Sequence, residues 1–344
     1  MTLDVLLPLK FDHPFTYNVP KDINVRVGDF VLVPFQNKDI IGVVWGKSGP
    51  IKSSIKIKDI KKKFDFVSLS KDTLIFLEKF SRYNLVDLGI ALKLFIFKKA
   101  FSEVSKKKKS EESFEEYSLK KKISFDTSQK KAIKILDDQI SFDKFSTVLL
   151  HGITGSGKTL IYFKKIQDFL EKGYQVLVLL PEIALTNQIK ERFKEYFGNY
   201  PSLWHSDISE KDKRLIWHGI ASHKINLVLG ARSSLFLPFK KLGLIIIDEE
   251  HDQSYKQEDQ VIYNARDMAV LMASIKKISV ILVSATPSLE TYYNTVNKKF
   301  SYISLDKRYG DAELPEVKFV DLKKILLLNL NLFHPLLYQS LKIF

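Results

Sequence analysis

Eight residues carry the most specific chemistry in this chain: Gly152-Ile153-Thr154-Gly155-Ser156-Gly157-Lys158-Thr159. Glycines spaced in this way let the backbone turn so that successive N–H groups converge on an anion, at a helix N-terminus carrying partial positive charge. A lysine followed by a hydroxyl residue completes a phosphate grip. Lys158 is placed to reach β- and γ-phosphates, and the Thr159 hydroxyl to coordinate Mg2+. About ninety residues further on, Leu244-Ile245-Ile246-Ile247 runs into Asp248-Glu249-Glu250-His251. Acidic residues at the carboxyl end of a buried strand sit where open α/β sheets bind ligands. Asp248 is expected to hold Mg2+ together with Thr159, and Glu249 to polarise an attacking water, with Lys158 and His251 completing the catalytic set. Two charges after four aliphatics could also be an ordinary strand-end loop; the glycine loop upstream favours the catalytic reading.

These residues need a sheet to position them. The run Val148-Leu149-Leu150-His151 leads straight into the glycine loop, and a helical stretch follows through Phe169. Apolar runs at 147–151, 175–180, 226–229, 244–247 and 280–284 read as buried strands separated by amphipathic segments. That alternation predicts an α/β lobe with a mainly parallel sheet covered on both faces. Ahead of it, 3–7, 15–19, 28–34 and 40–45 read as short strands of a small barrel or sandwich, punctuated by Pro8, Pro14, Pro20 and Gly28. Residues 71–99 carry apolar positions at helical spacing. Residues 102–122, rich in lysine and glutamate, read as a charged tether. The expected division is 1–100, a β-rich domain with a helical tail; 101–123, a linker; 124–310, the lobe; and 311–344, the start of a further connection.

The net charge of +14 fits a polyanionic partner, and equally the Lys-, Ile-, Phe- and Asn-rich composition of AT-biased coding. The absence of cysteine excludes disulfides and any Cys-based zinc site in this chain. No signal peptide or membrane span is legible, so a soluble, cytoplasmic protein is expected.

A phosphate loop alone fits kinases, transporters, GTPases and motors alike. Asp248-Glu249-Glu250-His251, with Ser284-Ala285-Thr286-Pro287 after a later strand, resembles the motor core of superfamily 2 helicases. There the Ser-Ala-Thr segment (Ser284, Ala285, Thr286) would couple nucleotide state to the grip on DNA. Further motifs narrow the resemblance: Leu180-Pro181-Glu182-Ile183-Ala184-Leu185-Thr186, His205-Ser206, Gly230-Ala231-Arg232-Ser233-Ser234-Leu235-Phe236, Asp252-Gln253-Ser254-Tyr255-Lys256-Gln257 and Tyr263-Asn264-Ala265-Arg266-Asp267. Over about 125–310 the chain is similar to the PriA family of replication-restart helicases. At the front, Leu7-Pro8, Phe15-Thr16-Tyr17, Val33-Pro34-Phe35 and Ile41-Gly42-Val43-Val44 resemble that family's N-terminal DNA-binding domain.

The resemblance implies a RecA-like lobe using ATP and Mg2+, a 3′-to-5′ motor acting on forked and single-stranded DNA, and primosome and single-strand-binding proteins as partners. Gln129 would read the adenine edge beside Gly152, Thr154, Gly155, Ser156, Gly157, Lys158 and Thr159. Phe15, Tyr17, Arg232, Tyr255, Lys256, Tyr263 and Arg266 would meet DNA. The two later tyrosines beside Lys256 and Arg266 also suit single strands on physical grounds, as stacking faces next to phosphate-pairing cations. Each taken singly could instead pack in the lobe, or pair with Asp267 in the case of Arg266.

Thr16 and Gln36 stand where the family has aspartate and glycine, which puts capture of a 3′ end in question. About twenty residues between domain and lobe are too few for the family's winged helix. The second motor lobe, its arginine finger and its cysteine-bound zinc module are not in this sequence. Since such fingers are worth roughly 10³ to 10⁵ in rate, slow hydrolysis is expected of these residues alone. A non-motor ATP- and DNA-binding primosome module, or another superfamily 2 translocase, are the competing expectations.

Overall fold

A computed structural model describes residues 1–49, 57–102, 120–121 and 123–309. The expected tether and the residues after 309 therefore lie almost wholly outside the described residues. Five strands open the chain: β1 (Thr2–Leu6), β2 (Phe15–Asn18), β3 (Asp29–Phe35), β4 (Lys38–Lys47) and β5 (Lys62–Ser68). They form an antiparallel sheet in the order β2-β1-β4-β3-β5. Strand β5 was not legible in advance, because it is rich in charge and buries only Phe64 and Val67, three positions apart and off the period of two. Gln36 turns the β3–β4 hairpin with φ of 51°. That is the left-handed region a glycine occupies at least cost, so the expected glycine position is a turn requirement met here by a side chain.

Helices α1 (Lys71–Asn84) and α2 (Leu88–Phe95) follow. Ser70 caps the first by accepting from the Thr73 N–H at 3.2 Å, and Leu85, left-handed at φ 54°, ends it. The second is tied back to the β sheet, since Asp12 Oδ1 accepts from the Leu88 N–H at 2.9 Å.

The lobe comprises α3 (Thr127–Gln139), β6 (Ser146–Gly152), α4 (Lys158–Glu171), β7 (Gln175–Leu179), α5 (Asn187–Phe197), β8 (Ser202–Trp204), α6 (Glu210–Ala221), β9 (Leu227–Gly230), β10 (Leu242–Ile247), β11 (Lys256–Gln257), β12 (Tyr263–Asn264), α7 (Ala265–Lys276), β13 (Ser279–Ser284), α8 (Leu289–Val296) and β14 (Ser301–Leu305). Seven of these strands make a wholly parallel sheet ordered β14-β6-β13-β10-β7-β9-β8. The five central strands are the five apolar runs of the sequence; the edges β8 and β14 carry too few buried residues to announce themselves.

Alternate residues of each central strand feed two cores. Val148, Leu150, Val176, Val178 and Ile246 face a core with Ile161, Phe163 and Phe193. Leu149, Leu177, Ile245, Ile247 and Leu282 face another with Met268, Met272 and Trp217. This second core continues without a break into the N-terminal region. Phe80 of α1 meets Phe236 and Tyr263 at ring centroid distances of 5.5 and 5.6 Å, and Phe95 of α2 meets Phe236 at 5.3 Å. Polar contacts pin the same seam: Lys276 Nζ donates to Thr73 Oγ1 at 2.8 Å, and His218 Nε2 bonds the Ala100 carbonyl at 3.0 Å. The helical tail thus covers the lobe as well as its own sheet, and residues 1–309 form one compact unit.

Candidate nucleotide site and nucleic-acid face

Strand β6 delivers the chain into the glycine loop, and α4 begins at Lys158. Gly155 and Gly157 have φ of 81° and 79°, which bends the loop so that its N–H groups can converge ahead of the helix. Lys158 Nζ donates to the carbonyls of Gly152 at 2.6 Å and Ile153 at 3.3 Å. Partial burial holds its amine below the ordinary lysine value, and the neighbouring Glu249 and Asp248 oppose that shift. In the same loop the Ser156 hydroxyl is buried with no hydrogen-bond partner among the described residues.

Asp248 sits at the end of β10 and its N–H donates to the Leu179 carbonyl at 3.0 Å. Its Oδ1 accepts from the Glu249 N–H at 3.1 Å, and its Oδ2 from the Tyr162 phenol at 3.0 Å. Burial raises the Asp248 carboxyl to about 6; the Tyr162 hydrogen bond pulls the other way. The Thr159 side chain also acts on the same phenol, favouring its ionised form against the effect of burial. Tyr162, fully buried on α4, therefore joins the two residues expected to hold Mg2+. It was overlooked in the sequence, where it reads as one more apolar position of an amphipathic helix. An oxygen donor pair of hydroxyl and carboxylate beside a phosphate-binding loop suits Mg2+, which takes few protein ligands and several from phosphate and water. Glu249 stands next to it, left-handed at φ 47° and half-exposed.

The coupling residues also meet. His251 Nδ1 bonds Ser284 Oγ at 2.8 Å and its Nε2 bonds Thr286 Oγ1 at 3.3 Å. Ser284 Oγ accepts in turn from the Thr286 N–H at 3.0 Å, and His151 Nε2 bonds the Ala285 carbonyl at 3.2 Å. Acidic box and Ser-Ala-Thr segment are thus one hydrogen-bonded unit across β10 and β13. A second link, centred on the buried Glu250, was not foreseen. Glu250 accepts from the Ser288 N–H at 2.7 Å, from the Ser288 and Thr291 hydroxyls at 3.0 and 2.8 Å, and from Arg266 Nη1 at 3.2 Å.

Several expected contacts are placed differently. Arg266 is not a DNA-facing cation: its guanidinium is buried between Glu250, Asp267 and Ser288. Tyr255 offers no stacking face, because it is 1 % exposed and its phenol donates to the carbonyls of Leu179 and Asp248. Tyr263 is sealed beneath Phe80 and Phe236. Tyr17 is also buried, its hydroxyl reaching the Pro34 carbonyl at 3.3 Å. Gln129 caps α3 reciprocally with Asp126 and donates from Nε2 to the Ser156 carbonyl at 3.1 Å, so both halves of its amide are engaged on the chain itself. Phe15 remains partly exposed in a cluster with Phe11 and Phe35, Lys256 is exposed beside Glu258, and Arg232 is half-buried. Tyr309, also overlooked, donates from its N–H to the Gly155 carbonyl at 2.8 Å and from its hydroxyl to Ser124.

Among the described residues no cluster of three His, Cys, Asp or Glu side chains could hold a metal ion, and no helix is long and apolar enough to cross a membrane.

A parallel sheet with its phosphate loop, acidic box and linked Ser-Ala-Thr segment defines a helicase-type motor lobe, and residues 126–295 match the DEAD/DEAH box helicase family. Residues 4–96 match the 3′ DNA-binding domain of PriA. The replication restart protein PriA of Rickettsia felis is 39% identical over 98% of this chain and 51% of its own length. That of Bacillus subtilis is 42% identical over 57% of this chain and 24% of its own. The chain belongs to the replication restart protein PriA family and spans about half the length of the rickettsial relatives it matches, over their N-terminal part. Among solved structures, RecG bound to a three-way DNA junction shows 22% identity and a TM-score of 0.41, over 56% of this chain and 25% of that one.

Proposed function

We propose that the chain is the ATP-binding and DNA-binding part of a 3′-to-5′ DNA helicase that acts in replication restart and primosome assembly at stalled forks. The observation that carries this reading is the continuity from phosphate loop to coupling segment. Tyr162 ties Thr159 to Asp248, and His251 ties the acidic box to Ser284 and Thr286. A change at the γ-phosphate felt by Asp248 or Glu249 would pass along the acidic box to His251 and from there by hydrogen bonds to Ser284 and Thr286, which is what a bistable coupling element requires.

In this reading the loop from Gly152 to Thr159, with Thr154 and Ser156, cradles the phosphates, and Lys158 leaves its loop carbonyls to meet them. Thr159 and Asp248 would hold Mg2+, which when bound would supply positive charge against the phosphates. Glu249 orients the water and accepts its proton. Forked and single-stranded DNA are the substrates, approached by Phe15 of the N-terminal domain and by Arg232 and Lys256 of the lobe. Primosome and single-strand-binding proteins are the partners, and the cytoplasm is the setting.

Binding of a fluorescent ATP analogue with Mg2+, and ATP hydrolysis with and without forked DNA, test the reading. Charged hydrogen bonds are worth about 1.5–3 kcal/mol, so Lys158→Ala is expected to weaken nucleotide binding roughly ten- to a hundredfold. Unchanged nucleotide affinity in Lys158→Ala, or no binding of forked or single-stranded DNA, would count against it.

A further inference from the structure

Away from the phosphate loop, an open cleft of about 370 Å³ lies where the end of the helical tail meets the carboxyl ends of β8 and β9. Phe97 from the tail and Trp204 from the lobe stand on its wall, their rings 6.0 Å apart and at 85°. Both are partly exposed, whereas Phe95, Trp217 and Phe236 behind them are buried. A planar group stacked on one ring would stand nearly perpendicular to the other, the edge-to-face relation that aromatic systems favour.

The polar rim is unequal in charge. Arg232 Nη1 donates to the carbonyls of Ser254 at 3.0 Å and Lys256 at 3.2 Å, and Lys213 Nζ to that of Ser206 at 2.8 Å. Neither cation pairs with a carboxylate among the described residues. Of the two rim carboxylates, Glu210 pairs with Lys99 at 3.1 Å, while Glu182 accepts from the Ser206 hydroxyl at 2.8 Å and keeps its charge, so cations outnumber carboxylates at the rim once Lys99 is counted. Aromatic faces flanked by unneutralised cations are the chemistry that takes an unstacked base and the phosphates beside it.

We propose that this cleft receives one base of single-stranded DNA, stacked against Trp204 and Phe97, with Arg232 and Lys213 meeting its flanking phosphates. The proposal rests on the DNA-binding reading and deepens it by assigning the base site. It moves the stacking role from the buried Tyr255 and Tyr263 to a pair of rings contributed by both halves of the molecule. A strand seated there bridges the N-terminal region and the lobe.

The full chain is titrated with a labelled oligo(dT) and with an oligomer of the same length and charge lacking bases, by fluorescence anisotropy at fixed salt. Stacking of one base is worth about 1–3 kcal/mol, so Trp204→Leu and Phe97→Leu are each expected to cut the preference for oligo(dT) over the abasic strand by roughly tenfold. Trp204→Phe should retain it, and binding of the ATP analogue should be unaltered in all three. The two leucine variants keep apolar bulk, and if one fails to fold the other decides. Wild-type preference in the folded leucine variants would overturn the base site while leaving DNA binding intact. Failure of the unaltered chain to bind either strand would overturn both readings.

Discussion

Replacing Glu250 by alanine tests whether the buried network, and not the acidic character of the box alone, holds the end of β10 against the start of α8. Glu250 is 1 % exposed and accepts four hydrogen bonds, one of them from the guanidinium of Arg266, whose side chain is 9 % exposed. Removing one partner of a buried ion pair costs about 3–5 kcal/mol, because the other charge is left desolvated. Here Asp267 still accepts from Arg266 Nε at 2.9 Å, and that partner is partly exposed, so the lower end, about 3 kcal/mol, is expected. Glu250→Gln keeps a carbonyl acceptor for the Ser288 N–H and should cost less, about 1–2 kcal/mol. Adding Arg266→Met to Glu250→Ala removes the stranded charge and should recover part of the loss, giving a coupling above about 1 kcal/mol in a double-mutant cycle. Urea denaturation followed by tryptophan fluorescence reads the unaltered chain, Glu250→Ala, Glu250→Gln, Arg266→Met and the double variant, at constant slope. Additive losses, or a cost below about 1 kcal/mol for Glu250→Ala, would refute the reasoning: the pair would then be interchangeable with solvent.

Four further outcomes follow from the same geometry. Because burial raises the Asp248 carboxyl to about 6, the fold prefers it protonated; stability should fall by about 3 kcal/mol as pH rises from near 4 to 6 and then level off, while nucleotide binding with Mg2+ is lost as pH falls through about 6. Tyr162→Phe removes a hydrogen bond that favours the carboxylate and should move that binding midpoint upward by about one unit; a midpoint that stays put or moves down contradicts the assigned role. Gly28→Ala should be far more damaging than Gly155→Ala: both glycines have positive φ, but a Cβ at Gly28 would lie 2.0 Å from the Leu69 carbonyl oxygen, whereas at Gly155 it meets nothing within 4 Å. Thermal unfolding of the two variants compares them directly, with about 1 kcal/mol expected for Gly155→Ala from backbone strain alone. Tyr255→Phe should lower stability by about 1–2 kcal/mol and leave oligo(dT) affinity unchanged in the anisotropy assay, since its phenol serves two backbone carbonyls.

Local spacing sufficed for the phosphate loop, the acidic box and the five central strands. A parallel strand buried on both faces is a continuous apolar run, and a phosphate-binding turn needs glycines at set intervals, so both are written within a few consecutive residues. The link between His251 and Ser284 was foreseeable for a related reason, since neighbouring parallel strands bring their carboxyl ends together. What the sequence could not decide was the environment of side chains whose neighbours are remote in the chain. Tyr255, Tyr263 and Arg266 look like an exposed aromatic and basic loop until Phe80, almost two hundred residues earlier, is laid over Tyr263, and Glu250 is turned inward to receive Arg266. Tyr162 looks like core until β10 places a carboxylate against its hydroxyl. Burial decides such cases, because a tyrosine or an arginine is amphipathic and its role depends on which end meets water. The residue types therefore determined that a glycine loop of phosphate-binding type and an acidic strand end stand side by side. The packing of the N-terminal helices on the lobe decided that Tyr263 is covered while Phe97 and Trp204 stay partly exposed beside one another.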